Sequence, residues 1–316
     1  MQQNETTVFS GNTRLWQIAH CKEFAPFSKY IINPRQFRHA MQIYTLRQLQ
    51  QFYPFDIPTI SNALNDMLIR CRNGWKLFHD LGEDVGIYAF TVDEKAPFVL
   101  ILPGGGYGDV CSFVEGFPLA VYLNKLGYNA FVGQYRVGTQ AHYPHPQDDV
   151  AKMLRYIREH TELFPVSEEY AACGFSAGGH LAATWGTKAL GYARYGITRP
   201  DALFLCYPVI TMGVMTHKGS RKNLLGSDRK SEVLQNRYSV EKQAAQDYPP
   251  TFIWQCREDC VVPVENSLLM VNALRKHNIP YEWMPVDGKA HDWGIGIGTA
   301  AEGWVERALA FWKQQK

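Results

Sequence analysis

The sequence contains no run of about 18 apolar residues, so nothing in it reads as a membrane-spanning helix. It has no block of like charge either. Lys and Arg total 32 against 30 Asp and Glu, a formal net charge of +2. That excludes the basic footprint of a nucleic-acid binder or of a protein that docks on an anionic membrane. Met1 to Thr7 lack the basic and apolar regions of a secretory leader. The seven cysteines (Cys21, Cys71, Cys111, Cys173, Cys206, Cys256, Cys260) are odd in number and scattered. Cys256 and Cys260 stand close together but have no matching Cys/His pair, so a disulfide framework and a metal centre are both disfavoured. Reduced thiols in a cytoplasmic protein are the expectation. The nucleotide-binding patterns, Gly-Lys-Ser/Thr or Gly-x-Gly-x-x-Gly opening a helix, are missing, and no cofactor is expected. Internal repeats and low-complexity stretches are absent as well.

What the chain does have is apolar substance. It is 46% hydrophobic and 20% charged over 316 residues, enough for one large core, and α/β sheets reach this size undivided. Residues 1–74 read as an N-terminal extension packing on the rest. Within it, Thr45 to Phe52 and Ile60 to Arg70 carry apolar residues at helical spacing, separated by Pro54 and Pro58. Trp75 to His79 and Gly86 to Val92 read as an antiparallel pair at a sheet edge. From Ala96 onward strands alternate with helices. Phe98 to Leu102, Asn129 to Tyr135, a run ending at Ser176, Ala202 to Tyr207, Thr251 to Cys256 and Tyr281 to Val286 read as strands. Gly116 to Leu126, Asp148 to His160, Val264 to Lys276 and Ala300 to Lys313 read as helices. This order predicts an α/β fold over residues 75–316, a mainly parallel twisted sheet with helices on both faces. Residues 210–247 break the alternation and suit an excursion over the top of the sheet, a candidate cap.

Reactive groups in such sheets collect in loops at the carboxyl ends of strands. One of these ends is Gly174-Phe-Ser176-Ala-Gly178, a strand reversing sharply into a helix with a serine at its apex. Glycine on both flanks removes the Cβ atoms that would crowd the turn. The turn also aims the Ala177 N–H at the same spot as the serine hydroxyl. Pro103 to Gly108 follows an earlier strand, and its consecutive glycines can turn N–H groups from Gly105 or Gly106 towards an oxyanion. Asp259, preferred over its neighbour Glu258, lies just past Thr251 to Cys256. His291 lies just past Tyr281 to Val286. Ser176, Asp259 and His291 thus have the residue types and chain order of a nucleophile, an orienting acid and a general base. Tyr107, Trp293 and Trp254 are expected near the mouth of a substrate pocket, His142 and His145 at its border. His180 reads as a packing residue, and His217 as structural or exposed.

Pro103 to Tyr107, Gly174 to His180, Tyr207 to Met212, Asn223 to Gly226 and Asp259 to Ser267 together resemble the α/β-hydrolase superfamily, in its branch of acetyl-xylan-esterase-like carboxylesterases. The resemblance runs from about Ala96 to the C-terminus. It implies an α/β-hydrolase fold with catalytic Ser176, Asp259 and His291, and an oxyanion hole from Gly105, Gly106 and Ala177. The implied activity is hydrolysis of short acyl esters, acetyl foremost, on a small-molecule substrate such as a sugar ester. Pro103 stands where lipase-like relatives carry His, which leaves the choice between Gly105 and Gly106 open. Two rivals remain: a serine peptidase of the same fold and a hydrolase-like binding protein without turnover. The sequence also leaves open whether copies form a homo-oligomer.

Overall fold

In the computed structural model, which describes residues 8–32, 43–51, 54, 56–92 and 95–315, eight strands form one sheet. The start at Met1 to Thr7 and the expected helix end at Phe52 lie outside the described residues. The strands are β1 (Phe78–Gly82), β2 (Val85–Phe90), β3 (Ala96–Leu102), β4 (Asn129–Gln134), β5 (Val166–Phe175), β6 (Ala202–Cys206), β7 (Thr251–Cys256) and β8 (Tyr281–Val286). Their spatial order is β1-β2-β4-β3-β5-β6-β7-β8. β1, β2 and β4 pair antiparallel and the remaining pairs are parallel. Phe98 to Leu102 are all wholly buried, alternate side chains entering the cores on opposite faces. Burial of each such aliphatic or aromatic side chain contributes about 1.5–3 kcal/mol.

The first helices in the chain, α1 (Leu15–Ala19), α2 (Ser28–Ile31), α3 (Leu46–Leu49) and α4 (Ile57–Arg72), share their core with the sheet. Phe27 meets Tyr88 of β2 edge-on, ring centroids 5.4 Å apart. Lys29 Nζ pairs with Asp84 Oδ1 of the β1–β2 turn at 2.9 Å. α3 is one turn only, held by a reciprocal Thr45–Gln48 cap. α4 begins earlier than its apolar spacing indicates: Asp56 caps it, and Pro58 lies in its first turn instead of before it. A proline costs no hydrogen bond there, because first-turn N–H groups have no intrahelical acceptor.

Further along, a five-residue π turn, Ser112–Gly116, leads into α5 (Phe117–Lys125). α6 (His145–Glu159) turns Val150, Leu154 and Ile157 onto the sheet, each buried. α7 (Ser176–Trp185) follows β5 without a spacer. α8 (Lys218–Leu225) and α9 (Glu232–Tyr238) lie within the 210–247 excursion, before α10 (Glu265–Lys276) and the closing α11 (Trp304–Gln314). The excursion is pinned over the sheet's carboxyl end. Asn223 Nδ2 donates to Gly106 O at 2.9 Å, and the Val209 N–H just ahead of it donates to Ser176 O at 3.0 Å.

The strand order positions the site. After β3 the chain winds to one side to form β4, then returns to place β5 on β3's other flank. Loops leaving β3 and β5 therefore diverge at the carboxyl edge and leave a crevice between them. The glycine loop and Ser176 lie at that point.

Candidate active site

β5 ends at Phe175 in extended conformation, and Ser176 takes φ 50°, a sparsely populated left-handed value for a residue with a Cβ. The turn is possible because its flanks carry no side chains. A Cβ at Gly174 would stand 2.2 Å from Gly178 O, and one at Gly178 would stand 2.0 Å from Leu102 O. α7 therefore starts tight against the end of β3.

The structure brings the three sequence-selected polar residues together. Ser176 Oγ is 2.9 Å from His291 Nε2, and His291 Nδ1 is 2.7 Å from Asp259 Oδ2. Asp259 Oδ1 accepts the N–H groups of Val261 (2.8 Å) and Val262 (3.0 Å), and Oδ2 also accepts from Gln255 Nε2 at 3.1 Å. Those donors hold the carboxylate, which accepts Nδ1–H from the imidazole and leaves Nε2 to accept from the serine hydroxyl. Glu258, the rival acid, sits at the surface beside Lys289 at 3.3 Å. Ser176 and His291 are only 5% and 6% exposed, so charge developing between them is poorly screened.

Burial acts to lower the His291 pKa, but the hydrogen bond to Asp259 and the nearby carboxylates of Asp292, Asp259 and Glu115 outweigh it, and the net shift is upward from 6.5. Asp292 Oδ1 lies 3.7 Å from Nε2. A base must be unprotonated to accept a proton, so kcat/KM is expected to fall on the acid side through a pKa above that of free imidazole. Asp292→Asn removes a negative neighbour of the ring and is expected to move this limb to lower pH, which a pH–rate profile of both proteins measures.

The glycine loop runs directly against the serine: a Cβ on Gly104 would lie 2.9 Å from Ser176 Cβ. Gly105 and Gly106 have φ 120° and 64°. No acceptor among the described residues takes either N–H. The Ala177 N–H lies in the first turn of α7, where intrahelical acceptors are lacking.

The expected pocket aromatics are buried wholly or in part. Tyr107 is wholly buried, with its hydroxyl 2.8 Å from His180 Nδ1. Its φ of 57° turns the side chain inward after the glycines. Trp254 is also wholly buried, packed between Tyr207 and Trp304, because β7 is covered on both faces. Trp293 is half-buried against the core edge, and its ring lies where a Cβ on Gly288 would collide with it at 2.6 Å. His180 donates Nε2–H to Tyr238 O at 2.7 Å, and burial holds its pKa down to about 4, consistent with packing. His145 Nδ1 lies 3.0 Å from Gln140 O, and the His142 ring sits against Gly226.

Four residues given no place at the site by the sequence also border it. Glu115, in the π turn, accepts Gly104 N–H on Oε2 at 2.5 Å and the Tyr207 hydroxyl on Oε1 at 2.8 Å. Burial and the charge of Asp292 push its pKa up to about 8 against those two hydrogen bonds. Tyr207, at φ 38°, lays its ring against His291 with centroids 4.6 Å apart. Asp292 is the third. His217 caps α8 through Ser220, and its Cε1 is 3.5 Å from the Cβ position of Gly106, so it is a neighbour of the glycine loop.

No group of three or more His, Cys, Asp or Glu among the described residues is arranged to hold a metal ion, and no helix among them is long and apolar enough to cross a membrane. Two clefts, of about 380 and 530 Å³, open at the amino-terminal end of the sheet around Phe164 and Pro165, away from the serine.

The BD-FAE family model matches residues 86–274. Endo-1,4-beta-xylanase B of Butyrivibrio fibrisolvens is 39% identical over 207 residues, covering 61% of this chain and 32% of that protein. Acetylxylan esterase of Xylanibacter ruminicola is 32% identical over 208 residues, covering 63% of this chain and 41% of that protein. The matches thus span less than half the length of either relative. Among solved structures, the acetyl ester-xyloside bifunctional hydrolase of Caldicellulosiruptor lactoaceticus superposes with a TM-score of 0.63 at 32% identity, covering 77% of this chain and 91% of that one. A carboxylesterase from Lactobacillus plantarum superposes at 0.64 and 22% identity, covering 75% and 96%, a likeness of fold alone.

Proposed function

The chain belongs to the BD-FAE family and has the α/β-hydrolase fold, and from that premise we propose that it is a carboxylic ester hydrolase that removes short acyl groups, acetyl foremost, through Ser176, His291 and Asp259. The observation that carries the reading is the unbroken hydrogen-bond path from Ser176 Oγ through His291 to Asp259, at 2.9 and 2.7 Å. Ser176 Oγ attacks the ester carbonyl while His291 Nε2 takes the hydroxyl proton. Asp259 stabilises the imidazolium and holds its tautomer. N–H groups of Ala177 and of Gly105 or Gly106 stabilise the oxyanion, each such donor contributing about 3 kcal/mol to the transition state. The imidazolium returns its proton to the leaving alkoxide, giving the alcohol and an acyl-serine. Water, deprotonated by the same nitrogen, then releases the carboxylic acid.

Acetyl is favoured because a relative is named acetylxylan esterase and a solved structure an acetyl ester-xyloside hydrolase. The alcohol portion is proposed, from the same two names, to be a xylose-type sugar. A p-nitrophenyl acetate-to-octanoate series, run beside acetylated xylo-oligosaccharides and a fluorophosphonate probe, tests the reading. Expected are labelling at Ser176 and a kcat/KM for acetate at least about 10-fold above octanoate, a difference of about 1.4 kcal/mol. Absence of both labelling and turnover would overturn it, and a preference for amides would move the assignment to a peptidase.

A further inference from the structure

The esterase reading uses the serine, the histidine, the aspartate and the loop amides, but it gives no task to Glu115, a wholly buried carboxyl group at the centre of the same crevice. Each of its oxygens is engaged. Oε2 accepts the Gly104 N–H at 2.5 Å, and Oε1 accepts the Tyr207 hydroxyl at 2.8 Å. The Tyr207 oxygen in turn accepts the Gly294 N–H at 3.2 Å. One carboxyl group therefore joins the loop after β3 to the loop after β6 and, through one phenol, to the loop after β8 that carries His291. These are the segments whose relative placement sets the distance between the glycine-loop amides, Ser176 and the imidazole.

The connection is costly to maintain. Burial of Glu115 is opposed by two donors only, and the groups facing it are mostly acidic or neutral: Cys111 from its own loop, Tyr135 just after β4, Cys206 at the end of β6 with Tyr207 just beyond it, and Asp292 beside His291. His291 is the cationic group among these neighbours when it is protonated. A site built for stability alone would fill this volume with an apolar side chain.

We propose that Glu115 is a positioning residue for ester hydrolysis, its carboxyl group holding the Gly104 amide of the glycine loop and, through Tyr207, the Gly294 amide of the histidine loop in mutual register. It acts through these loops without touching substrate. Misplacement of about 1 Å at a reacting centre costs up to about 100-fold in rate, which sets the scale of the effect.

This rests on the esterase reading, so the experiment carries its own check. Wild-type protein and Ser176→Ala are assayed and labelled first, then Glu115→Gln, Glu115→Ala, Tyr207→Phe and the Glu115→Gln/Tyr207→Phe double variant. Expected is a fall in kcat of about 10-fold for Glu115→Gln and for Tyr207→Phe, up to about 100-fold for Glu115→Ala, with KM little changed. The double variant is expected to be no slower than the slower single one, because both changes cut the same connection. Thermal unfolding separates this from loss of fold. Because burial raises the Glu115 pKa, the wild type loses stability as pH rises from the unfolded value of 4.5 towards about 8, a loss the glutamine variant does not share. Its Tm relative to wild type is therefore expected to climb over that interval while its rate stays low. Multiplicative effects in the double variant, or rate losses that track Tm, would overturn the positioning role and leave the esterase reading standing. A wild type that neither labels nor turns over would overturn both.

Discussion

Ser176→Ala is expected to lower kcat/KM for p-nitrophenyl acetate by about 10⁴- to 10⁶-fold and to abolish fluorophosphonate labelling, with the fold intact. The reason is geometric. The hydroxyl is the one group of residue 176 within hydrogen-bond reach of His291 Nε2, at 2.9 Å, and its removal leaves an imidazole with nothing to deprotonate but water. His291→Ala is expected to cost about as much. Asp259→Asn is expected to cost about 10⁴-fold, because an amide at this position offers N–H to Nδ1 and favours the wrong tautomer. The three changes do not add: once Ser176 is gone, loss of His291 or Asp259 lowers the residual rate little, since the residue comes from the loop amides and binding alone. Steady-state rates for the single variants and the Ser176→Ala/His291→Ala pair measure this. Additive losses, or a Ser176→Ala protein retaining most of its turnover, would place the nucleophile elsewhere.

The strands were legible because burial on both faces leaves a signal in the chain itself. Phe98 to Leu102 carries no polar residue and is wholly buried in the structure. Helix starts were less legible. Pro58 and Pro146 both sit inside first turns, so a residue that breaks helices in their interior is compatible with their beginnings. The polar strand ends could be picked out one by one, as Ser176, Asp259 and His291 were, because each follows a clear apolar run. Their separations of 83 and 32 residues are bridged by the sheet order, which no local pattern encodes.

Side-chain direction was the part the sequence withheld. Tyr107 follows the glycine run, yet a left-handed φ turns it into the core and onto His180. Trp254 lies in a strand covered on both sides, so neither of its faces reaches the crevice. Glu115 and Tyr207 were missed for a different reason. Their hydrogen bond joins residues 92 positions apart, and the other partner of Glu115 is a main-chain amide without a sequence signature. A faint signal was there: Glu115 is a lone carboxylate among Phe113, Val114, Gly116 and Phe117, where burial forces it to find donors.

Gly178→Ala is expected to cost at least about 3–4 kcal/mol in stability, a large part of the margin of a typical domain. A Cβ at that position would stand 2.0 Å from Leu102 O and 2.3 Å from Pro103 O. Both obstacles are main-chain atoms at the end of β3, so no rotamer change relieves the collision, and α7 must move away from the sheet. Gly174→Ala meets the same difficulty from the other side, 2.2 Å from Gly178 O. Gly213→Ala is the comparison, since its nearest neighbour is a single side-chain oxygen, Thr211 Oγ1, at 3.3 Å; a change within about 0.5 kcal/mol is expected there. Denaturant midpoints and soluble yield distinguish the three. The contact that forbids a methyl group at 178 is the one that brings the first turn of α7, and with it the Ala177 N–H, beside the glycine loop. Any Gly178→Ala protein recovered in folded form should therefore have lost oxyanion stabilisation, showing slow acylation with the His291–Asp259 pair still in place. Wild-type stability and rate in that variant would mean that α7 and β3 do not approach so closely.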